Sequence, residues 1–387
     1  GYNVNMMKPY MCQDIFFHEG AAFSEGTRLL EHADMHQETL DQIPSPYLNG
    51  TLDKFFDNEE LAPMIETVRG CPYACTFCCW GGPSVNKLRQ FSVERVKAEV
   101  DYIAEKSKNR LSKWLIMSDG NFGIIKRDLE IAQHIRKTSD TCGWPDKIYL
   151  YFAKNSNDRV VEIAAELRDF ITVSLARQTM DTAVLKNVKR SNIDIQTLQR
   201  IEQLLKKSNI ESMIELIYPL PGETRESFLN GIAALFEEMD ISNVEIRFYP
   251  LALLPGAEIA TKESKEKYGL QTAWRMLPGH NGKFDKISSR EYEEIVISTN
   301  TFELEDYYYI RQLHFFLCLF VTYKIYKPVM ALYLSLKRKE SFIRFIDNLI
   351  AEIHLEDGVL RELLMNLDKA AQEELLLTEQ FPVHEKL

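Results

Sequence analysis

Short apolar runs alternate with longer amphipathic stretches from Met64 to Tyr249. Each short run is rich in branched and aromatic residues and predicts a strand. Each longer stretch repeats its apolar residues at three- and four-residue spacing and predicts a helix. The predicted strands are Met64–Val68, Trp114–Met117, Ile148–Tyr151, Ile171–Ser174, Ser212–Tyr218 and Val244–Tyr249. Helices are expected at Val93–Glu105, Arg127–Thr138, Asp158–Arg168, Ile195–Lys207 and Arg225–Met239. The last strand runs into a loop from Pro250 to Gly256. Repeated strand–helix steps of this kind build a parallel sheet with helices on its outer face. In such barrels the chemistry gathers in the loops at the strand C-terminal ends.

The rhythm changes at both ends. From Ser289 onward helical periodicity is expected, over Phe302–Tyr323, Val329–Leu349 and Leu355–Leu376. Its aromatic residues, Tyr307 to Tyr309 and Phe315-Phe316, suit either packing on the barrel or a cap over its mouth. Before the barrel, Asp14–Phe23 reads as a short strand and turn, and Phe23–His32 as a helix. Gln42-Ile-Pro-Ser-Pro-Tyr-Leu-Asn-Gly50 is an extended linker fixed by its prolines. The expected division is therefore 1–55, 56–288 and 289–387.

Bulk properties narrow the function classes. The chain has 387 residues, 45% apolar and 27% charged, as in an ordinary globule. A net charge of −11 disfavours broad nucleic-acid binding, which needs a basic face. Leu313–Tyr326 is too short for a membrane span of ~20 residues, and Arg311 and Lys324 bracket it. The opening Gly1-Tyr-Asn-Val-Asn shows no charged leader followed by an apolar run, so no secretory signal is expected.

The cysteines carry the chemistry. Cys71-Pro-Tyr-Ala-Cys75-Thr-Phe-Cys78 is a Cys-x3-Cys-x2-Cys run. Three thiolates at this spacing can hold three irons of a 4Fe–4S cluster and leave the fourth open to a ligand. A zinc knuckle would need a second close pair, yet Cys142 and Cys318 stand alone. Seven cysteines, an odd number, argue against a disulfide framework. Cys79, adjacent to Cys78, is expected to be a packed thiol rather than a ligand. Such thiols and an oxygen-sensitive cluster suit a reducing cytoplasm.

This run, with Phe77 before the last cysteine, resembles the radical SAM superfamily. Further segments resemble its cobalamin-binding members. They are the turn His18-Glu19-Gly20-Ala21, the linker Ile43-Pro-Ser-Pro46, Asp119-Gly-Asn-Phe122, Leu185-Lys-Asn-Val-Lys-Arg190 and Glu215-Leu-Ile-Tyr-Pro-Leu-Pro-Gly-Glu-Thr224. The resemblance runs from about Asp14 to Glu305. It implies a partial (β/α)6 barrel with a short N-terminal remnant and a C-terminal helical extension. It also implies a 4Fe–4S cluster on Cys71, Cys75 and Cys78 that reduces S-adenosylmethionine (SAM) to a 5′-deoxyadenosyl radical. The implied SAM contacts are the Phe77 main chain with adenine, Asp119 and Asn121 with the methionine amino group, Gln178 with the ribose and Arg190 with the carboxylate, and Glu215 joins the cofactor-binding set. No general acid or base is implied.

A small or medium-sized substrate is expected, with an electron donor such as flavodoxin or ferredoxin. Asp34-Met-His-Gln-Glu-Thr39 copies only half of a cobalt-facing Asp-x-His-x-x-Gly loop. Cobalamin is therefore expected only with a further domain or a partner chain, and methyl transfer to carbon would follow from it. Cobalamin-free rearrangement or oxidation, or a non-catalytic partner subunit, are the alternatives. A methylthiotransferase-like action on RNA is disfavoured by the acidic tail after Glu352.

Overall fold

The computed structural model describes residues 40–81, 87–153, 158–171, 173–192, 195–207, 210, 212–238, 244–284, 287–336 and 341–376. The expected elements between Asp14 and His32, the turn at His18–Ala21 and the Asp34–Thr39 segment lie outside them.

Six parallel strands carry the barrel. β1 (Met64–Ile65) is followed by a small antiparallel pair, β2 (Val68–Arg69) and β3 (Arg89–Gln90), which frames the cysteine loop. β4 (Trp114–Met117) and β5 (Lys147–Tyr149) complete a first sheet in the order β1-β4-β5. A second sheet holds β6 (Val173–Gln178), β7 (Ser212–Tyr218) and β8 (Val244–Pro250) in chain order. Both sheets are parallel throughout. β5 meets the chain entering the second sheet where Ile148 N donates to Phe170 O at 2.9 Å, just before β6.

The helices between the strands are α1 (Val93–Ser107), α2 (Asp128–Cys142), α3 (Asp158–Glu166), α4 (Thr182–Asn187), α5 (Ile195–Lys207) and α6 (Arg225–Glu238). Ser92 caps α1 by accepting from Arg95 N, and Asp181 caps α4 by accepting from Ala183 N and Val184 N. Ile214 and Leu216 of β7 and Ile246 and Phe248 of β8 share the core with Phe228, Leu229 and Ile232 of α6. Burial alternates along β8, so Glu245, Arg247 and Tyr249 lie on its other face.

The linker is built onto the first sheet. Tyr47 is buried, and its phenol donates to Met64 O and accepts from Met64 N, both at 2.8 Å. Arg110 is buried at the end of α1 and donates to the carbonyls of Phe56, Asn58 and Leu61.

After β8 the structure departs from the sequence reading. A short helix, α7 (Lys262–Tyr268), leads into a hairpin of β9 (Gln271–Phe284) and β10 (Ile287–Ser298). Ser289 therefore lies within a strand, and the C-terminal helices begin at α8 (Leu304–Leu317). Pro278, Gly279 and Gly282 all fall within β9. The hairpin accommodates Pro278 and Gly279 in an irregularity between the pairs Met276–Tyr292 and Asn281–Arg290, while Gly282 pairs in register with Ser289. The hairpin continues the barrel edge, since Val296 N donates to Leu251 O and Leu253 N to Glu294 O, both at 2.8 Å.

α8 runs into a π-helical turn, Cys318–Thr322. The single helix expected over Val329–Leu349 is two, α9 (Lys327–Ser335) and α10 (Phe342–Leu355), followed by α11 (Val359–Glu374). Arg275 of β9 pairs with Glu293 and with Glu374 of α11, at 2.7 and 3.0 Å, and Arg311 of α8 reaches Glu374 at 2.7 Å. These charges hold hairpin and helices together.

Candidate active site

The cysteine loop leaves β2 through Gly70, whose φ of +99° suits glycine better than any other residue. Cys71 and Cys75 are 2% and 3% exposed, Cys78 is partly exposed, and none of the three is in a disulfide. The loop is fixed at its middle. Thr76 N donates to Val188 O beyond α4 at 3.1 Å, and Thr76 O accepts from Ile259 N at 2.9 Å. Phe77 packs on a small apolar cluster that includes Val184, Val188, Leu220 and Leu253.

Two donors approach the sulfurs. Asn121 Nδ2 lies 3.0 Å from Cys71 Sγ, and Arg190 Nη1 lies 3.9 Å from Cys75 Sγ. Arg190 is buried, which pulls its pKa down; the nearby Cys75, Tyr73 and Cys78 offset this. Asn192 accepts from Arg190 Nε at 3.3 Å. Thus Asn121 and Arg190, separated by two strands in the sequence, meet at the same loop. Among the described residues no three His, Cys, Asp or Glu side chains converge as one metal ion demands. In a cubane each thiolate takes its own iron, so the three sulfurs stand apart. Three cysteines on a pinned loop, two of them buried and faced by hydrogen-bond donors, fit such a cluster.

Asp119 has protein partners of its own. Its Oδ1 accepts from Thr67 N at 2.6 Å and from Val68 N at 3.2 Å, and its Oδ2 accepts from the Thr67 hydroxyl. Burial pushes its pKa up to about 7, against the pull of those bonds. Arg127 Nη2 holds Thr67 O at 2.7 Å, so Thr67 is gripped from both sides just before β2. Asp119 therefore stabilises the entry to the cysteine loop. Sequence reading could not show this, because Thr67 lies 52 residues away.

Gln178 ends β6 with φ +58° and is 6% exposed. Its Oε1 accepts no hydrogen bond from any described residue. Glu215 is buried on β7, and its Oε2 accepts from Ser174 Oγ at 2.7 Å. Glu215 pairs with Arg247 across the ladder, next to a polar group that the sequence reading did not single out. Arg247 bonds Glu245 at 2.5 Å, and the Tyr149 and Tyr151 phenols bond each other. Burial pushes Tyr149 and Tyr249 to about 12, so both stay neutral donors. The alternation Val-Glu-Ile-Arg-Phe-Tyr in β8 was the available signal: a strand covered by helices on one face carries charges on the other.

Residues 65–233 match the model of the radical SAM superfamily. Those residues are a radical SAM domain. Among similar proteins, the cobalamin-dependent radical SAM methyltransferase TokK of Streptomyces tokunonensis is 36% identical over 276 residues, covering 67% of this chain and 38% of that protein. The 2-(S-pantetheinyl)-carbapenam-3-carboxylate methyltransferase of Streptantibioticus cattleyicolor is 37% identical over 244 residues, covering 61% of this chain and 35% of its own length. The chain thus spans well under half of these relatives. The cobalamin-dependent radical SAM enzyme OxsB overlaps it with a TM-score of 0.45 at 15% identity, over 85% of this chain and 55% of that one. Among the described residues no helix of this radical SAM protein is long and apolar enough to cross a membrane.

Proposed function

We propose that this chain carries the radical step of a carbon methyltransferase. It would cleave SAM reductively at Cys71, Cys75 and Cys78 and abstract hydrogen from an unreactive carbon of a small or medium-sized substrate. Methylation would follow when further polypeptide supplies cobalamin. The observation that carries this reading is the pinned cysteine loop with Asn121 and Arg190 directed at its sulfurs. Two curated relatives described as methyltransferases support the reaction class.

When bound, the cluster supplies the electron that breaks the S–C5′ bond, and cobalamin supplies the methyl group. The chain's own residues bind and orient. Arg190, rigid and buried, pairs with the SAM carboxylate. The Asn121 amide oxygen and the Asp119 carboxylate accept from the amino group, and Asp119 also braces the loop through Thr67. Gln178 and the Phe77 main chain receive ribose and adenine, and Glu215 lines the same wall. A small electron donor of the flavodoxin or ferredoxin class and a reducing cytoplasm complete the setting.

The test is anaerobic reconstitution with iron, sulfide, dithionite and SAM, with and without hydroxocobalamin, followed by mass spectrometry. 5′-Deoxyadenosine is expected in both arms. The corrinoid is expected to leave the 387-residue chain on gel filtration. Protein carrying a full cluster that yields no 5′-deoxyadenosine refutes the reading. Stoichiometric corrinoid retained through the column refutes the assignment of cobalamin to further polypeptide.

Arg190→Ala is expected to keep the cluster and weaken SAM binding about tenfold or more, the usual effect of losing a charge-assisted contact. A SAM titration followed by electron paramagnetic resonance reads this directly. Unchanged affinity would remove Arg190 from the site.

A further inference from the structure

The end of β6 is held in a conformation that L residues rarely adopt. Thr179 N donates to Arg177 O at 2.8 Å, closing a γ-turn with Gln178 at its apex and φ +58°. Such a turn persists only where its surroundings over-determine it. Here Thr179 supplies the constraint. Its hydroxyl lies 2.9 Å from Glu223 Oε1 and accepts from Asp181 N at 3.2 Å, and its carbonyl accepts from Asn192 Nδ2 at 2.8 Å. Three segments therefore fasten one residue: the start of α4, the chain after Arg190 and the loop after β7.

Glu223 is fully buried and is itself fixed. Its Oε2 accepts from Leu220 N at 3.2 Å, and its carbonyl accepts from Thr301 Oγ1 at 2.8 Å. The preceding Gly222 has φ +84°, and a Cβ there would stand 2.6 Å from Asn187 Nδ2, which bonds Pro221 O. The loop is thus locked by its own packing. Within this knot the Gln178 amide oxygen is buried without a donor from any described residue. A buried acceptor left without a donor is costly, and the fastened turn fixes the backbone from which this side chain extends.

We infer that Glu223 is a positioning residue, which acts through Thr179 to hold Gln178 in its γ-turn so that the Gln178 amide oxygen receives a hydroxyl of the bound ligand. Resting on the function proposed above, that hydroxyl belongs to the ribose of SAM. The side chain of Glu223 need not touch the ligand. Burial holds it protonated up to about pH 8, so a glutamine is the matching neutral replacement.

The test measures binding of SAM and of its 2′-deoxy and 3′-deoxy analogues to anaerobically loaded protein by calorimetry. Wild type is expected to prefer SAM about tenfold over one of the analogues, the scale of one lost hydrogen bond. Gln178→Ala and Glu223→Ala should bind SAM more weakly and show no preference beyond about twofold. Glu223→Gln should keep the wild-type preference. A general loss of structure would weaken all three ligands and leave their ratio unchanged. If Glu223→Ala does not fold, Thr179→Val removes the same hydroxyl link and should also lose the preference. A preference retained in Glu223→Ala or in Thr179→Val overturns the positioning role. Wild type that binds SAM and both analogues equally overturns the inference alone, whereas wild type that binds no SAM overturns it together with the proposed function.

Discussion

Replacing Cys71, Cys75 or Cys78 by alanine is expected to strip anaerobically reconstituted protein of its iron and sulfide, about four of each per chain in wild type. Each thiolate takes a separate iron, so no neighbour can substitute for a missing one. Cys142→Ala and Cys318→Ala should keep the full complement. Cys142 is exposed at the end of α2, and Cys318 begins the π-helical turn beside β8. Burial also raises the Cys318 pKa, which disfavours the thiolate that a metal requires. Cys79 is disulfide-bonded in the structure rather than the packed thiol that the sequence suggests, so Cys79→Ala breaks a crosslink beside a ligand without removing a ligand, and it is the sharpest control. Iron and sulfide assays together with the visible spectrum read all six variants. Loss of the cluster in Cys79→Ala as complete as in Cys78→Ala would sink the ligand assignment.

Glu223→Gln is expected to be more stable than wild type at pH 8 and comparable to it near pH 4. Burial raises the Glu223 carboxyl from 4.5 to about 8. Its folded pKa lies above its unfolded one, so the native state favours the proton. That contribution is complete below about pH 4.5 and is lost as pH rises through the folded value near 8. The full rise corresponds to a loss on the order of 5 kcal/mol, an upper bound. An amide stays neutral throughout and removes this slope. Asp119, raised to about 7, leaves a second slope of the same sign in both proteins. Denaturant titrations at pH 4.5, 6 and 8 compare the two. A glutamine variant less stable than wild type at pH 8 would show that Glu223 is ionised and well paired in the fold.

Much of the barrel was legible because strands such as β4 and β7 are buried along almost their whole length. β4, β7 and α5 have the bounds that their apolar patterns predict. The β9–β10 hairpin was hidden because pairing across a long ribbon tolerates a proline and glycines that weaken a strand's local signal. The cysteine run stood out by its spacing, and Asn121 and Arg190 through segments that resemble those of cobalamin-binding radical SAM proteins; the structure brings both side chains to that run. Asp119 shows the limit. Its residue type and position suggested a ligand contact, while its bonds to Thr67 and Val68 come from the fold and had no signal in the sequence. Glu223 was equally hidden within a Pro-Gly-Glu-Thr run, since its role depends on Thr179 in a different loop.

The phenol of Tyr47 has a further consequence for how the protein behaves in a crowded solution. An uncovered sheet margin offers amides and carbonyls to any passing extended chain and so seeds aggregation. Here the outward amide and carbonyl of Met64 on β1 are both taken by one side chain. At the opposite margin the rungs beyond β8 are taken by β10. Tyrosine 47 therefore works as a one-residue substitute for a strand, and the barrel stays open as a reaction chamber while neither margin recruits foreign chains.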